Sequence, residues 1–257
     1  MSETQFGEEL VRLASADNFR DVTGPDAPYA AADGRRLRRG VAYRSNELQL
    51  SEADVESLGR LGVGAIYDLR TGHEIEAHPD VAVPGTRWTH LEVTGIPMNS
   101  VSALADRATA HDVMLQVYRG FVENAGARAA YASLFRSVAA ADAPVLFHCT
   151  AGKDRTGWAA AMLLHLAGVD DATILEDYLL TNTFSSATRE KYLGLVRQHL
   201  GDDKVDVYER VMVADQIYLQ TAYDTVTAEY GDRLGYLRDG LGLDEQTLGR
   251  LRARLVS

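Results

Sequence analysis

The chain has 257 residues, 46% of them hydrophobic, one cysteine and a formal net charge of -11. That length and content exclude a disordered or fibrous protein and support one large domain, or two small ones, around a sizeable core. The acidic balance disfavours nucleic acid or an anionic membrane as partner, and the lone Cys149 excludes an internal disulfide framework or a multi-thiolate zinc site.

The amino terminus, Met1 to Leu10, carries Glu3, Glu8 and Glu9 and has no basic start followed by an apolar run. The cytoplasm is therefore the expected location, with export lacking a recognisable signal left open. The longest apolar stretch, Ala159 to Val169, is broken by His165 and Gly168 and falls short of the roughly 20 residues that span a bilayer. No stable membrane insertion is expected.

The first third reads as strands, turns and one short helix. Pro25 and Pro28 punctuate a loop, Asp33-Gly34 marks a turn, and short strands are predicted at Arg35 to Leu37 and Val41 to Tyr43. Ser51 opens a helix with Val55, Leu58 and Leu61 on its apolar face, and Gly62 and Gly64 stop it. Strands follow at Ala65 to Leu69 and around Trp88 to Val93. Strand, helix, strand in succession predicts a parallel sheet.

Between Ile96 and Asn124 the pattern is helical, with Val113, Val117 and Phe121 spaced four apart; a second helix is predicted over Ala127 to Ala141. Val145 to Cys149 reads as a short buried strand, followed by a loop and an apolar helix from Thr156 to Ala167. Beyond Val169 the pattern is helical to the end. With no repeat or linker, residues 1–257 are expected to form one α/β domain: a central, mostly parallel sheet flanked by helices, with a helical carboxy-terminal layer.

The strand, loop and helix around Cys149 carry the chemistry. Five residues, Thr150, Ala151, Gly152, Lys153 and Asp154, separate Cys149 from Arg155. A loop of that size can curl its N–H groups inward at the positive end of the next helix, forming an anion cradle, and Gly152 supplies the backbone freedom. Arg155 can clamp two phosphoryl oxygens, while the same field favours a Cys149 thiolate as nucleophile. Asp154 is the nearest acid for the leaving oxygen, His148 and Thr156 flank the loop as supporting residues, and the Thr156 hydroxyl can ease departure of the sulfur. No metal or other cofactor is needed.

His148-Cys149-Thr150-Ala151-Gly152-Lys153-Asp154-Arg155-Thr156-Gly157 resembles the phosphate-binding signature of the cysteine-dependent tyrosine phosphatases, in particular a bacterial branch. Asn18 to Val22, Tyr43 to Leu48, Asp68 to Thr71, Asp177 to Asn182 and Gly235 to Arg238 match landmarks of that branch in the same order. The resemblance implies a protein-tyrosine-phosphatase-like fold, Cys149 as nucleophile, Arg155 as phosphate clamp and Asp154 as loop-borne acid. It also implies a helical lid at about residues 96–124, and substrates that are phosphotyrosine proteins or phosphoinositides, with Lys153 suited to a second phosphate.

Other acids compete for the proton-donor role. Asp112 lies 37 residues before Cys149, and His78-Pro79-Asp80 echoes a mobile-loop acid motif. Asp68 is either a supporting residue at the site or half of an ion pair with Arg70. His73, Glu74 and His78 miss the spacing of a zinc helix. Arg35, Arg36, Arg38 and Arg39 read as an exposed basic hairpin, and Tyr118 and Phe121 as lid residues or core. A phospho-binding module without turnover and a thiol redox protein are the alternatives from other classes.

Overall fold

A computed structural model describes residues 12–96 and 104–257. Five strands form one sheet: β1 (Arg20–Asp21), β2 (Ala42–Ser45), β3 (Ala65–Asp68), β4 (Arg87–His90) and β5 (Val145–His148), in the spatial order β1-β2-β5-β3-β4. All neighbours are parallel except β1, which runs antiparallel on β2. The expected strand at Arg35 to Leu37 is not one; only isolated bridges, Ala30 to Arg36 and Leu37 to Val256, form there.

The two faces of the sheet are separated by the strand period of two. Tyr43, Ile66 and Leu146 point to a smaller core with Phe19, Leu48 and Leu58, under helix α1 (Glu52–Arg60). Ala42, Tyr67, Val145 and Phe147 point to the larger core. That second face is covered by α3 (Arg107–Glu123), α4 (Ala125–Ala140) and α5 (Asp154–Leu166) and the helices that pack on them. Ala160, Met162, Leu163 and Leu164 bury most of α5, while Asp154 at its start and His165 near its end are half-buried.

A second short helix, α2 (Gly72–Ala77), follows β3, beyond the one helix that the sequence pattern predicts in the first third. Thr71 and Glu74 form a complete capping box at its start, a pattern of threonine and glutamate three apart that the sequence does contain. The carboxy-terminal layer consists of α6 (Asp171–Leu179), α7 (Thr181–Phe184), α8 (Ser186–Leu200), α9 (Asp202–Met212) and α10 (Gln216–Tyr230). A π-helical turn (Tyr236–Gly240) and α11 (Glu245–Leu255) follow. No described helix is long and apolar enough to cross a membrane.

Register places the end of β5 in the middle of the sheet: Ser45, His148 and Asp68 lie side by side. The chain leaves β2 over one face and arrives at β5 from the other, the arrangement that opens a crevice at strand carboxyl ends. Cys149 is the first residue beyond that point.

Candidate active site

Cys149 is 2% exposed, and the loop behind it is held from outside. The Thr150 carbonyl accepts from the Glu47 amide at 3.0 Å, the Ala151 carbonyl from Asn18 Nδ2 at 2.9 Å and the Gly152 carbonyl from Arg44 Nη2 at 2.9 Å. In a trans peptide the N–H points opposite to the C=O. Three outward carbonyls therefore turn the amides of Ala151, Gly152 and Lys153 inward, and none of these donates to a described residue. At the next step α5 begins at Asp154 without a side-chain cap, so its first N–H groups extend the same cradle.

Gly152 is required by this curl on two counts. Its φ is +64°, and a Cβ there would lie 2.4 Å from the Ser45 carbonyl oxygen. The pin beneath is a buried ion cluster: Arg44 Nη1 meets Asp177 Oδ2 at 2.9 Å, and Arg20 Nε meets Oδ1 at 3.4 Å. Burial and the neighbouring Arg20 push the Arg44 guanidinium down to about 10, against the opposing pull of Asp177 and of a charged Cys149.

Arg155 reaches back over the loop to Glu74 of α2. Nη1 and Nη2 each lie 2.7 Å from one Glu74 oxygen, and Nη1 also donates to the Val93 carbonyl at 3.3 Å. Thr150 Oγ1 donates to the same carboxylate. Burial would raise the Glu74 carboxyl, yet its bonds to Arg155 outweigh that and hold it well below the usual range. Arg155 is driven upward: burial opposes its charge, but Glu74 first and then a charged Cys149 more than compensate. Nη2 also donates to Thr150 Oγ1 at 3.4 Å, while Nε has no hydrogen-bond partner among the described residues.

Asp154, with a side chain 18% exposed, accepts at Oδ1 from Lys153 Nζ at 2.7 Å and from the Tyr118 hydroxyl at 2.8 Å. Lys153 is 2% exposed and donates also to the Val213 carbonyl at 3.1 Å, so its ammonium is turned to Asp154 and the carboxy-terminal layer. Thr156 is fully buried and its hydroxyl has no partner among the described residues.

A family model described as "Tyrosine phosphatase family" matches residues 11–257. The chain belongs to the tyrosine phosphatase family. It is thereby a hydrolase of phosphoric monoesters. It is 30% identical to the "Triple specificity protein phosphatase PtpB" of Mycobacterium tuberculosis, over 95% of this chain and 98% of that protein. It is also 30% identical to a "Tyrosine-protein phosphatase" of Nostoc commune, over 80% of this chain and 71% of that protein. The crystal structure of TpbA from P. aeruginosa aligns at 21% identity and a TM-score of 0.34, over 84% of this chain and 97% of that one.

Within this phosphatase the remaining sequence candidates fall away from the loop. Asp112 is exposed on α3. Asp80 is not a solvated loop acid: it lies 2.8 Å from Arg70 and 3.0 Å from His148 Nε2, and both hold its carboxyl low against the raising effect of burial. Asp68 is fully buried against Arg70 at 2.8 Å, the ion-pair alternative. Asp68, Asp80 and His148 come close enough to share a cation, but Arg70 already supplies the positive charge among them. Of the expected lid, residues 97–103 lie outside the described residues; α3 buries Met114, Tyr118 and Phe121 in the core. Arg35, Arg36 and Arg38 are exposed, as expected, with Arg35 paired to Asp33 and Arg39 donating to the Asp26 carbonyl.

Glu74 is the residue that sequence reasoning missed. It was visible as half of a capping box, but nothing local indicates that the same carboxylate also faces Arg155, 81 positions away.

Proposed function

We propose that this phosphatase hydrolyses phosphotyrosine in proteins through a cysteinyl-phosphate intermediate on Cys149. The observation that supports this best is the set of three loop carbonyls fixed outward, which leaves the amides of Ala151, Gly152 and Lys153 turned toward the sulfur side. In the first step the Cys149 sulfur attacks phosphorus, the bond to the tyrosyl oxygen breaks, and Asp154 gives that oxygen a proton. In the second, Asp154 takes a proton from water as the water oxygen attacks phosphorus, and the sulfur leaves.

Charge accumulating on the equatorial oxygens is met by the loop amides, the start of α5 and the free edge of Arg155. The buried Thr156 hydroxyl is available to the departing sulfur, and His148 Nε2 lies 3.0 Å from the Asp80 carboxylate at the end of β5. Lys153 contributes through its amide and through Asp154. Its enclosed ammonium favours phosphotyrosine over an inositol lipid with a second phosphate.

The test is phosphate release, with EDTA present, from a phosphotyrosine peptide, p-nitrophenyl phosphate and inositol lipids in vesicles. Wild type is expected to turn over the peptide, and Cys149→Ser to release nothing. Faster release from the lipids would replace the tyrosine reading by the lipid one. Residence in the cytoplasm belongs to the same reading and is checked by fractionating cells that express the tagged chain.

A further inference from the structure

Tyr118 lies on α3, has no exposed surface, and yet spends its hydroxyl on the chemistry rather than on its own helix. Its single proton goes to Asp154 Oδ1 at 2.8 Å, so in the contact with Tyr178 Oη at 2.6 Å Tyr118 is the acceptor and Tyr178 the donor. A donor sequence therefore runs from Tyr178 through Tyr118 to Asp154.

Lys153 delivers a second donor to the same oxygen at 2.7 Å. With two donors aimed at Oδ1, a proton on that atom would face both the ammonium and the phenol, and a repulsive contact would result. Oδ2 accepts no hydrogen bond from a described residue. Only that oxygen has room for a proton that can leave.

We propose that Tyr118, oriented by Tyr178 and acting beside Lys153, fixes which oxygen of Asp154 carries the exchangeable proton, Oδ2, and aims it at the leaving group. Tyr118 and Tyr178 are positioning residues and touch no substrate atom. The inference rests on the proposed function above, in which Asp154 is the acid. Without the phenol the carboxyl group can rotate about its Cβ–Cγ bond and exchange its two oxygens, and the acid is then misaimed for part of the time.

The experiment measures kcat and kcat/KM for a series of aryl phosphates running from p-nitrophenyl to phenyl to alkyl-substituted phenyl. An aimed acid makes the rate nearly indifferent to the leaving group, and Asp154→Asn is expected to make it steep, since general acids supply about 100-fold or more for poor leaving groups. Tyr118→Phe is expected to give an intermediate slope, about tenfold slower on phenyl phosphate and within about threefold of wild type on p-nitrophenyl phosphate. The double variant is expected to match Asp154→Asn alone.

A wild-type slope in Tyr118→Phe, or losses that multiply in the double variant, overturns the proposal while leaving Asp154 as the acid. A wild-type slope in Asp154→Asn overturns the acid assignment and this proposal together. If near-ultraviolet circular dichroism shows that Tyr118→Phe does not fold, Tyr178→Phe carries the same test. It removes the donor behind Tyr118, and a wild-type slope there overturns the proposal.

Discussion

Glu74 meets Arg155 end-on, with both carboxylate oxygens 2.7 Å from the two terminal guanidinium nitrogens. A guanidinium has five N–H donors in a plane, so a carboxylate that takes the terminal edge leaves the side edge, with Nε–H, for a second planar or trigonal partner. Glu74 thus holds Arg155 by its terminal edge, and under the proposed function the side edge is the one that meets the phosphoryl group.

This geometry gives the first prediction. Glu74→Gln keeps the size of the side chain and one acceptor oxygen but removes the charge and replaces the other acceptor by an NH2 donor, so one of the two bonds to Arg155 is lost, and kcat/KM for a phosphotyrosine peptide is expected to fall about tenfold, equivalent to about 1.4 kcal/mol. Steady-state kinetics decide it. A rise in kcat/KM instead would mean that the carboxylate blocks the phosphate position.

The second prediction concerns the turn of the loop. Gly152→Ala forces a side chain into a left-handed backbone position and against the Ser45 carbonyl at 2.4 Å. The strain is expected to cost about 1–3 kcal/mol of stability and to spoil the amide cradle. Thermal unfolding and turnover should both fall, and a variant with normal activity would refute the requirement for this curl.

Much of this site is readable from the chain itself, because its parts are contiguous. A strand, a tight loop and a helix within Val145 to Leu166 need only local information: apolar run, glycine, uncapped helix start. The braces are another matter. Asn18, Arg44 and Glu47 reach the loop from over 100 positions away, and their function depends on β2 lying against β5, which periodicity cannot specify. Tyr118 reads as lid or core for the same reason: its apolar spacing predicts burial, while its hydroxyl partners come from α5 and α6. The strand at Arg35 to Leu37 failed because a turn signal says where a chain reverses but does not say whether the flanks find a partner strand.

The third prediction is a pH dependence of stability. His165, near the end of α5, is pushed down to about 4, chiefly by burial and then by Arg233. The unfolded chain binds a proton near its ordinary value of about 6.5, so the folded state loses stability as pH falls from there toward 4, and the effect levels off below. Between pH 7 and pH 5 the loss is on the order of 1 kcal/mol once solvent screening is allowed for. Denaturant titrations at those two pH values should show that loss in wild type and a smaller one in His165→Gln. Equal losses would remove His165 as the cause.

The last prediction separates the charge of Arg44 from its geometry. Arg44 is fully buried and does two things with two nitrogens, holding Asp177 at 2.9 Å and the Gly152 carbonyl at 2.9 Å. Lysine keeps the charge but concentrates it at one point, so it can satisfy Asp177 or the carbonyl and cannot span both in a plane. Arg44→Met removes the charge and leaves the Asp177 carboxylate with the longer contacts to Arg20 at 3.4 Å and the Tyr29 hydroxyl at 3.2 Å, a weakened buried cluster that is expected to cost about 3 kcal/mol. Arg44→Lys should therefore be the more stable of the two while losing turnover, because the Gly152 carbonyl is no longer held outward and the loop amides are free to rotate. Comparing unfolding free energies and kcat/KM of both variants decides it: if Arg44→Lys keeps wild-type kcat/KM, the outward pull on Gly152 is not what shapes the cradle.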